Sequence, residues 1–214
     1  MIPMTVNQFP NMGYLQVEFS EADLKPIKLE IQKIIDSDFK IGQTYQYGLA
    51  GNINKEFKLD NCKEHIDYLI GGMCNQYGSE IFDYYKRIDL CTKDLPIVLD
   101  DVWVNFQKKH EFNPTHVHSG VFSFVIWINI PYSIDDENNH PSSKLSNTPV
   151  AGQFAFQYTN ALGSIVSHYI PTDRTYNNKA VFFPAALAHQ VFPFYTSDGY
   201  RISVSGNYKL QVKE

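Results

Sequence analysis

The sequence predicts an α+β, mainly β fold: a double-sheet jelly roll with N-terminal helices packed on one sheet. Three observations carry this. Hydrophobic residues make up 43% of the 214 positions and charged residues 19%, the balance of a folded chain with a sizeable core. Met1 to about Asn105 mixes short strands with two stretches of helical period. After Leu95 the apolar period switches to two, and strands dominate to the end.

The first helix starts at Ser20, whose hydroxyl can cap the amides near Asp23, and Leu24, Ile27, Ile31, Ile34 and Ile35 mark its buried face. Pro26 is tolerated if it falls in the first turn or just before the regular helix. Tyr45 to Asp60 reads as loop and short strand. A second helix is expected from Asn61 to about Tyr85, burying Ile66, Leu69, Ile70, Met73, Tyr77, Ile81 and Tyr84, with Gly71-Gly72 weakening it or admitting a close neighbour. Val102, Val104 and Phe106 then alternate with Trp103 and Asn105 in a strand. Phe122 to Ile130 is apolar on both faces, as a central strand is. Further strands are expected at Gly152–Tyr158, Ile165–Ile170, Ala180–Phe183, Gln190–Phe194 and Arg201–Leu210. The polar insert Pro131–Val150 reads as a long mobile loop.

Composition excludes several functions. A net charge of −5 and three arginines (Arg87, Arg174, Arg201) argue against a dedicated nucleic-acid binder. The 15 Phe, 14 Tyr and 2 Trp suggest stacking platforms, but they alternate at strand spacing and so read as core, Trp103 and Trp127 included. Cys62, Cys74 and Cys91 fit neither a disulfide framework nor a cysteine-rich zinc site, and read as free thiols in a reducing cytoplasm. Met1–Gln16 lacks the pattern of a secretory signal, and Val121–Pro131 is too short to span a bilayer, so a cytoplasmic protein without a membrane partner is expected. Oligomeric state is not encoded legibly.

The sharpest motif is Asn113-Pro-Thr-His116-Val-His118-Ser-Gly120, just before the central strand. In a strand, residues two apart point to one side, so His116 and His118 would aim together as half of a divalent metal site. From this motif alone, a pair of ordinary strand-edge histidines is an equal reading. Farther on, Phe183-Pro184 leads to His189, and Arg201-Ile-Ser203 opens the last strand.

With these pieces and the Trp103-x-Asn105 strand, the stretch Trp103–Tyr208 resembles the Fe(II)/2-oxoglutarate-dependent dioxygenases of double-stranded β-helix (jelly-roll) fold. Within them it is similar to the compact prolyl-hydroxylase-like branch, which includes uncharacterised members from phages and marine bacteria. The resemblance implies one oxygenase domain over residues 1–214, with 1–97 as a helical support region and 98–214 as the jelly-roll core. It implies Fe(II) held by His116, His118 and His189, and 2-oxoglutarate as cosubstrate. The far carboxylate of that cosubstrate would meet Arg201, aided by Ser203. Decarboxylation would release succinate and CO2 and oxidise a C–H bond, in a prolyl residue of a peptide or protein or in a small molecule.

One departure stands out: position 118 is histidine where the usual triad has Asp or Glu. Asp100, Asp101 and Glu111 remain alternative carboxylates, His118 could instead support a ligand, and His110 is a weaker candidate. Asn105, Asn129 and Tyr158 (with Gln157) are possible pocket residues; Arg174 is a loop cation near the mouth; His65, His140 and His168 lack partner spacing. Two other functions stay open: a cupin-like three-histidine metalloenzyme that does not use 2-oxoglutarate, with Arg201 on a substrate carboxylate or structural, and a catalytically silent jelly-roll binding module.

Overall fold

The computed structural model describes residues 11–45, 50–88 and 95–211; Cys91 lies outside them. Among the described residues, ten strands form two antiparallel sheets. The strands are β1 (Leu15–Glu18), β2 (Glu56–Lys58), β3 (Ile97–Gln107), β4 (Asn113–His116), β5 (Phe122–Asn129), β6 (Phe154–Thr159), β7 (Ile165–Ile170), β8 (Lys179–Pro184), β9 (Ala188–Val191) and β10 (Arg201–Leu210). The major sheet runs β1-β8-β5-β10-β3-β2 and the minor sheet β4-β9-β6-β7. The N-terminal stretch thus supplies both edge strands of the major sheet besides its helices.

The period-two pattern now has a cause. Val102, Val104, Phe106, Phe122, Phe124, Ile126, Phe182, Ile202 and Val204 point to one face of the major sheet, where the helices cover them. The residues between them point to the other face, toward the minor sheet. There Trp127, Val181 and Phe183 pack with Phe154, Phe156 and Ile170. A sheet buried on both sides needs this double apolar set.

Helix α1 (Glu21–Asp36) begins as expected: Ser20 Oγ accepts from Asp23 N, and the Asp23 carboxylate accepts from Ser20 N. Leu24, Ile27, Ile31 and Ile34 are buried. Pro26 lies inside the helix, in its second turn rather than its first.

The single second helix is not formed. Instead α2 (Lys63–Ile70) stops at Gly71, α3 (Gly72–Asn75) follows, and Gln76–Ile81 is wound as π turns. A π turn takes more residues per turn than an α turn, so the apolar face rotates away from helical spacing. Tyr77 stays buried while Ile81 turns outward, 58% exposed, against expectation.

The insert also departs from expectation. It carries α4 (Ile134–Asn139), capped by Ser133, and a fully buried Glu137. Glu137 accepts from the backbone N–H groups of Tyr195 (2.8 Å) and Thr196 (2.9 Å) and from the Thr196 hydroxyl. That carboxylate ties α4 to the β9–β10 connection, so this helical part of the insert is anchored by a buried group. No helix among the described residues is long and apolar enough to cross a membrane.

Candidate active site

The inner face of the major sheet is polar at one end. Cross-strand register pairs Arg201 with Gln107, Ser203 with Asn105, and Ser205 with Trp103 between β10 and β3. Across the gap, β4 and β9 place His116 opposite His189. His118 lies just past the end of β4, not within it, and its backbone N–H donates to Ala185 O. The three rings nonetheless converge. Their centroids are 4.3 Å (His116–His189), 4.9 Å (His116–His118) and 5.0 Å (His118–His189) apart.

One nitrogen from each ring lies within 4.8 Å of the other two. His116 Nδ1 is 2.7 Å from Pro114 O, and His189 Nδ1 is 2.9 Å from Leu187 O. A carbonyl only accepts, so each Nδ1 carries the proton and each Nε2 keeps its lone pair for a ligand role. Burial, with His116 adding to it, holds His118 down to about 4 and His189 down to about 3, so both are neutral near pH 7. A set of imidazole nitrogens of this kind suits iron, zinc, copper or nickel.

Among the described residues no carboxylate joins this cluster. Asp101 is held by Tyr45 and Lys58, and Asp100 pairs with Lys209. Glu111 accepts from Asn54 and from the Lys108 backbone. His110 is exposed, against Tyr195. The alternatives to His118 therefore have other partners.

Arg201 is 2% exposed, and no carboxylate pairs with it among the described residues. All its N–H groups meet neutral oxygens. Nε (3.0 Å) and Nη2 (2.6 Å) donate to Gln107 Oε1, Nη2 also to Phe192 O, and Nη1 to Tyr132 Oη and Gly152 O. The cation and the histidines border one cavity of about 40 Å³, with Trp103, Asn105, Gln107, Val125, Trp127, Phe154, Ser203 and Ser205 on its walls. That is room for roughly one or two waters. Gln107 Oε1 thus occupies the Nε–Nη2 edge, the edge on which a guanidinium forms a bidentate pair with a carboxylate.

Of the expected pocket residues, Asn105 and Ser203 line this cavity. Asn129 does not: it is exposed at the end of β5, where its amide donates to Tyr200 O. Tyr158 borders a separate cavity with Tyr14, Phe156 and His168, and Arg174 donates to Pro131 O. Trp103 and Trp127, read as plain packing, both border the histidine cavity; the Trp103 ring centroid is 5.7 Å from that of His118. Gln107 was missed, although its phase with Trp103 and Asn105 in one strand could have placed it on this face.

A family model described as 2OG-Fe(II) oxygenase matches residues 101–207. No curated protein matches the sequence. The fold is similar to a Pseudomonas putida prolyl-4-hydroxylase, with TM-score 0.56 and 15% identity over 94% of each chain. A Burkholderia pseudomallei oxidoreductase of the 2OG-Fe(II) oxygenase family gives 0.54 and 12%, covering 92% of this chain and 84% of that one. A Trichoplax adhaerens prolyl hydroxylase, solved with a hypoxia-inducible-factor peptide fragment, gives 0.52 and 13%, covering 92% and 83%. These likenesses establish the jelly-roll architecture. The three sources are bacterial and animal, so the expected phage connection gains no support from them.

Proposed function

The chain belongs to the 2OG-Fe(II) oxygenase family, and from that premise we propose that it hydroxylates a C–H bond, with a prolyl residue of a peptide as the substrate class. As a family member it is an oxidoreductase that uses Fe(II) and 2-oxoglutarate. The observation that carries the reading is the convergence of three histidines on a cavity that is also lined by a buried arginine, which has no anionic partner among the described residues. The peptide preference comes from two neighbours in fold, one called a prolyl-4-hydroxylase and the other solved with a peptide.

Bound iron and 2-oxoglutarate supply the oxidative chemistry: substrate–H, 2-oxoglutarate and O2 become substrate–OH, succinate and CO2. His116, His118 and His189 would hold the metal, with Pro114 O and Leu187 O fixing the first and last rings. Arg201 would take the far carboxylate of the cosubstrate on its Nε–Nη2 edge, in place of Gln107 Oε1, with the Ser203 hydroxyl beside it. Trp103, Val125, Trp127 and Phe154 would keep bulk water from the reacting atoms.

Both tryptophans of the chain border the cavity, so intrinsic fluorescence reports on it. Anaerobic Fe(II) should quench that emission, and 2-oxoglutarate should change it again. A proline-containing peptide should then speed O2-dependent succinate release. Metal quenching with no response to 2-oxoglutarate would sink the cosubstrate assignment. Coupled turnover only with peptides lacking proline would sink the substrate class.

A further inference from the structure

The edge strand β2 buries a carboxyl group for which the chemistry above has no use. Glu56 is 1% exposed and lies directly across from Asn105 in the β2–β3 register. Residues paired in this way have neighbouring side chains on one face of the sheet. Here it is the inner face, because the next residue, Phe57, packs into the outer core. Both carboxyl oxygens of Glu56 lack a hydrogen-bond partner among the described residues, and so does Asn105 Oδ1.

The charged groups around Glu56 do not neutralise it. Glu111, from the turn before β4, is a like charge that repels it, and is itself committed to Asn54 and Lys108 N. Lys55 lies over the Phe39 ring and bonds Tyr200, while Lys58 pairs with Asp101. An ionised carboxylate buried without a partner is far costlier than a neutral one. A neutral carboxyl carries one O–H to donate, and Asn105 Oδ1 is an acceptor that has received none. Asn105 Nδ2 is already spent on the other side, at 3.3 Å from Ser203 Oγ and 3.4 Å from Ser205 Oγ, both on the cavity wall.

We propose that Glu56 is a positioning residue: as a neutral carboxylic acid it donates to Asn105 Oδ1 and orients that amide, which in turn holds Ser203 and Ser205 in the active-site wall. Burial, reinforced by Glu111, pushes the Glu56 carboxyl up to about 8. The folded protein therefore keeps a proton that the unfolded chain loses above the ordinary carboxylate range. Its stabilising effect is complete at low pH and is lost as pH rises toward 8. The consequence for cosubstrate binding rests on the assignment of this cavity to 2-oxoglutarate.

Glu56→Gln keeps a donor for Asn105 and cannot ionise, whereas Glu56→Leu removes the donor. Thermal unfolding of the metal-free protein from pH 6 to 9 should show the wild type losing stability that the Gln variant keeps. In the nickel-loaded protein, the Kd for 2-oxoglutarate, read by tryptophan fluorescence, should rise about fivefold in the wild type over the same range, the worth of one hydrogen bond. It should stay flat in Glu56→Gln and be raised already at pH 6.5 in Glu56→Leu. Finally, the destabilisation caused by Glu56→Leu should shrink when Asn105 is alanine. A Gln variant with the wild-type pH dependence, or strict additivity of the Glu56 and Asn105 changes, would overturn the proposal. Failure of 2-oxoglutarate to bind the wild type at any pH would instead overturn the cosubstrate assignment and leave the two stability measurements to decide the role of Glu56.

Discussion

Gln107 Oε1 accepts from both Nε and Nη2 of Arg201, at 3.0 and 2.6 Å, on the edge of the guanidinium that a carboxylate would take in a bidentate pair. Gln107 is held in that position by its own Nε2, which donates to Glu111 O at 2.5 Å. A neutral amide thus stands in for the anion. Gln107→Met should leave the fork unpaired and destabilise the ligand-free protein by about 1–3 kcal/mol. 2-Oxoglutarate should then raise the melting temperature of Gln107→Met by more than that of the wild type. An equal rise in both would mean that Gln107 does not compete with the cosubstrate.

Arg201→Lys keeps the charge and loses the fork. The response of tryptophan fluorescence to Fe(II) should persist, while affinity for 2-oxoglutarate falls by about two orders of magnitude. Calorimetric titration of the metal-loaded protein measures both. Loss of metal binding would place Arg201 in the structure of the histidine site instead.

His116→Ala and His189→Ala should each abolish stabilisation by Fe(II) and succinate release. His118→Asp restores the two-histidine, one-carboxylate set that non-haem iron oxygenases commonly use, and iron binding should survive it. Thermal shifts with and without iron separate these outcomes. Iron binding unaffected by His118→Ala would remove His118 from the ligand set.

The metal-free protein should lose stability in acid partly through these rings. His118 and His189 are held down to about 4 and 3, below the ordinary histidine value near 6.5. Between those limits the unfolded chain takes up protons that the folded one refuses, so stability falls as pH falls. Urea unfolding between pH 6.5 and 4.5 should give a slope steeper by about one proton in the wild type than in His118→Asn. Equal slopes would contradict the neutral state of His118.

Glu137 closes the insert onto the β9–β10 connection with three accepted hydrogen bonds. Glu137→Ala should cost about 1–3 kcal/mol, because the part-buried backbone N–H groups of Tyr195 and Thr196 lose their carboxylate acceptor. Proteolysis near α4 should become faster. A change within experimental error would show that the insert does not depend on this clamp.

The period-two apolar pattern was legible as strands because a sheet covered on both faces buries apolar side chains on each side of its strands. Ser20, Leu24, Ile27, Ile31 and Ile34 were legible as a capped helix with one buried face, since both signals are local. His116, His118, His189 and Arg201 could be singled out by residue type and order along the chain. The break at Gly71 and the π turns over Gln76–Ile81 were not legible: helical spacing assumes a constant number of residues per turn, and packing decided otherwise. Asn129 and Tyr158 satisfy the alternation that marks an inner face, yet one lies at a strand end and the other belongs to a separate cavity.

The sequence by itself determined the two-faced sheet, the capped first helix and the inventory of chemical groups, because these depend on residue type and on spacing within one element. Only the tertiary structure decided which groups meet. It brought His116 to His189 across two strands far apart in the chain, set Gln107 on Arg201, and buried Glu56 beside Asn105. The physical reason is register: a strand's sequence fixes which residues share a face, but the pairing of strands distant in the chain fixes which of them touch.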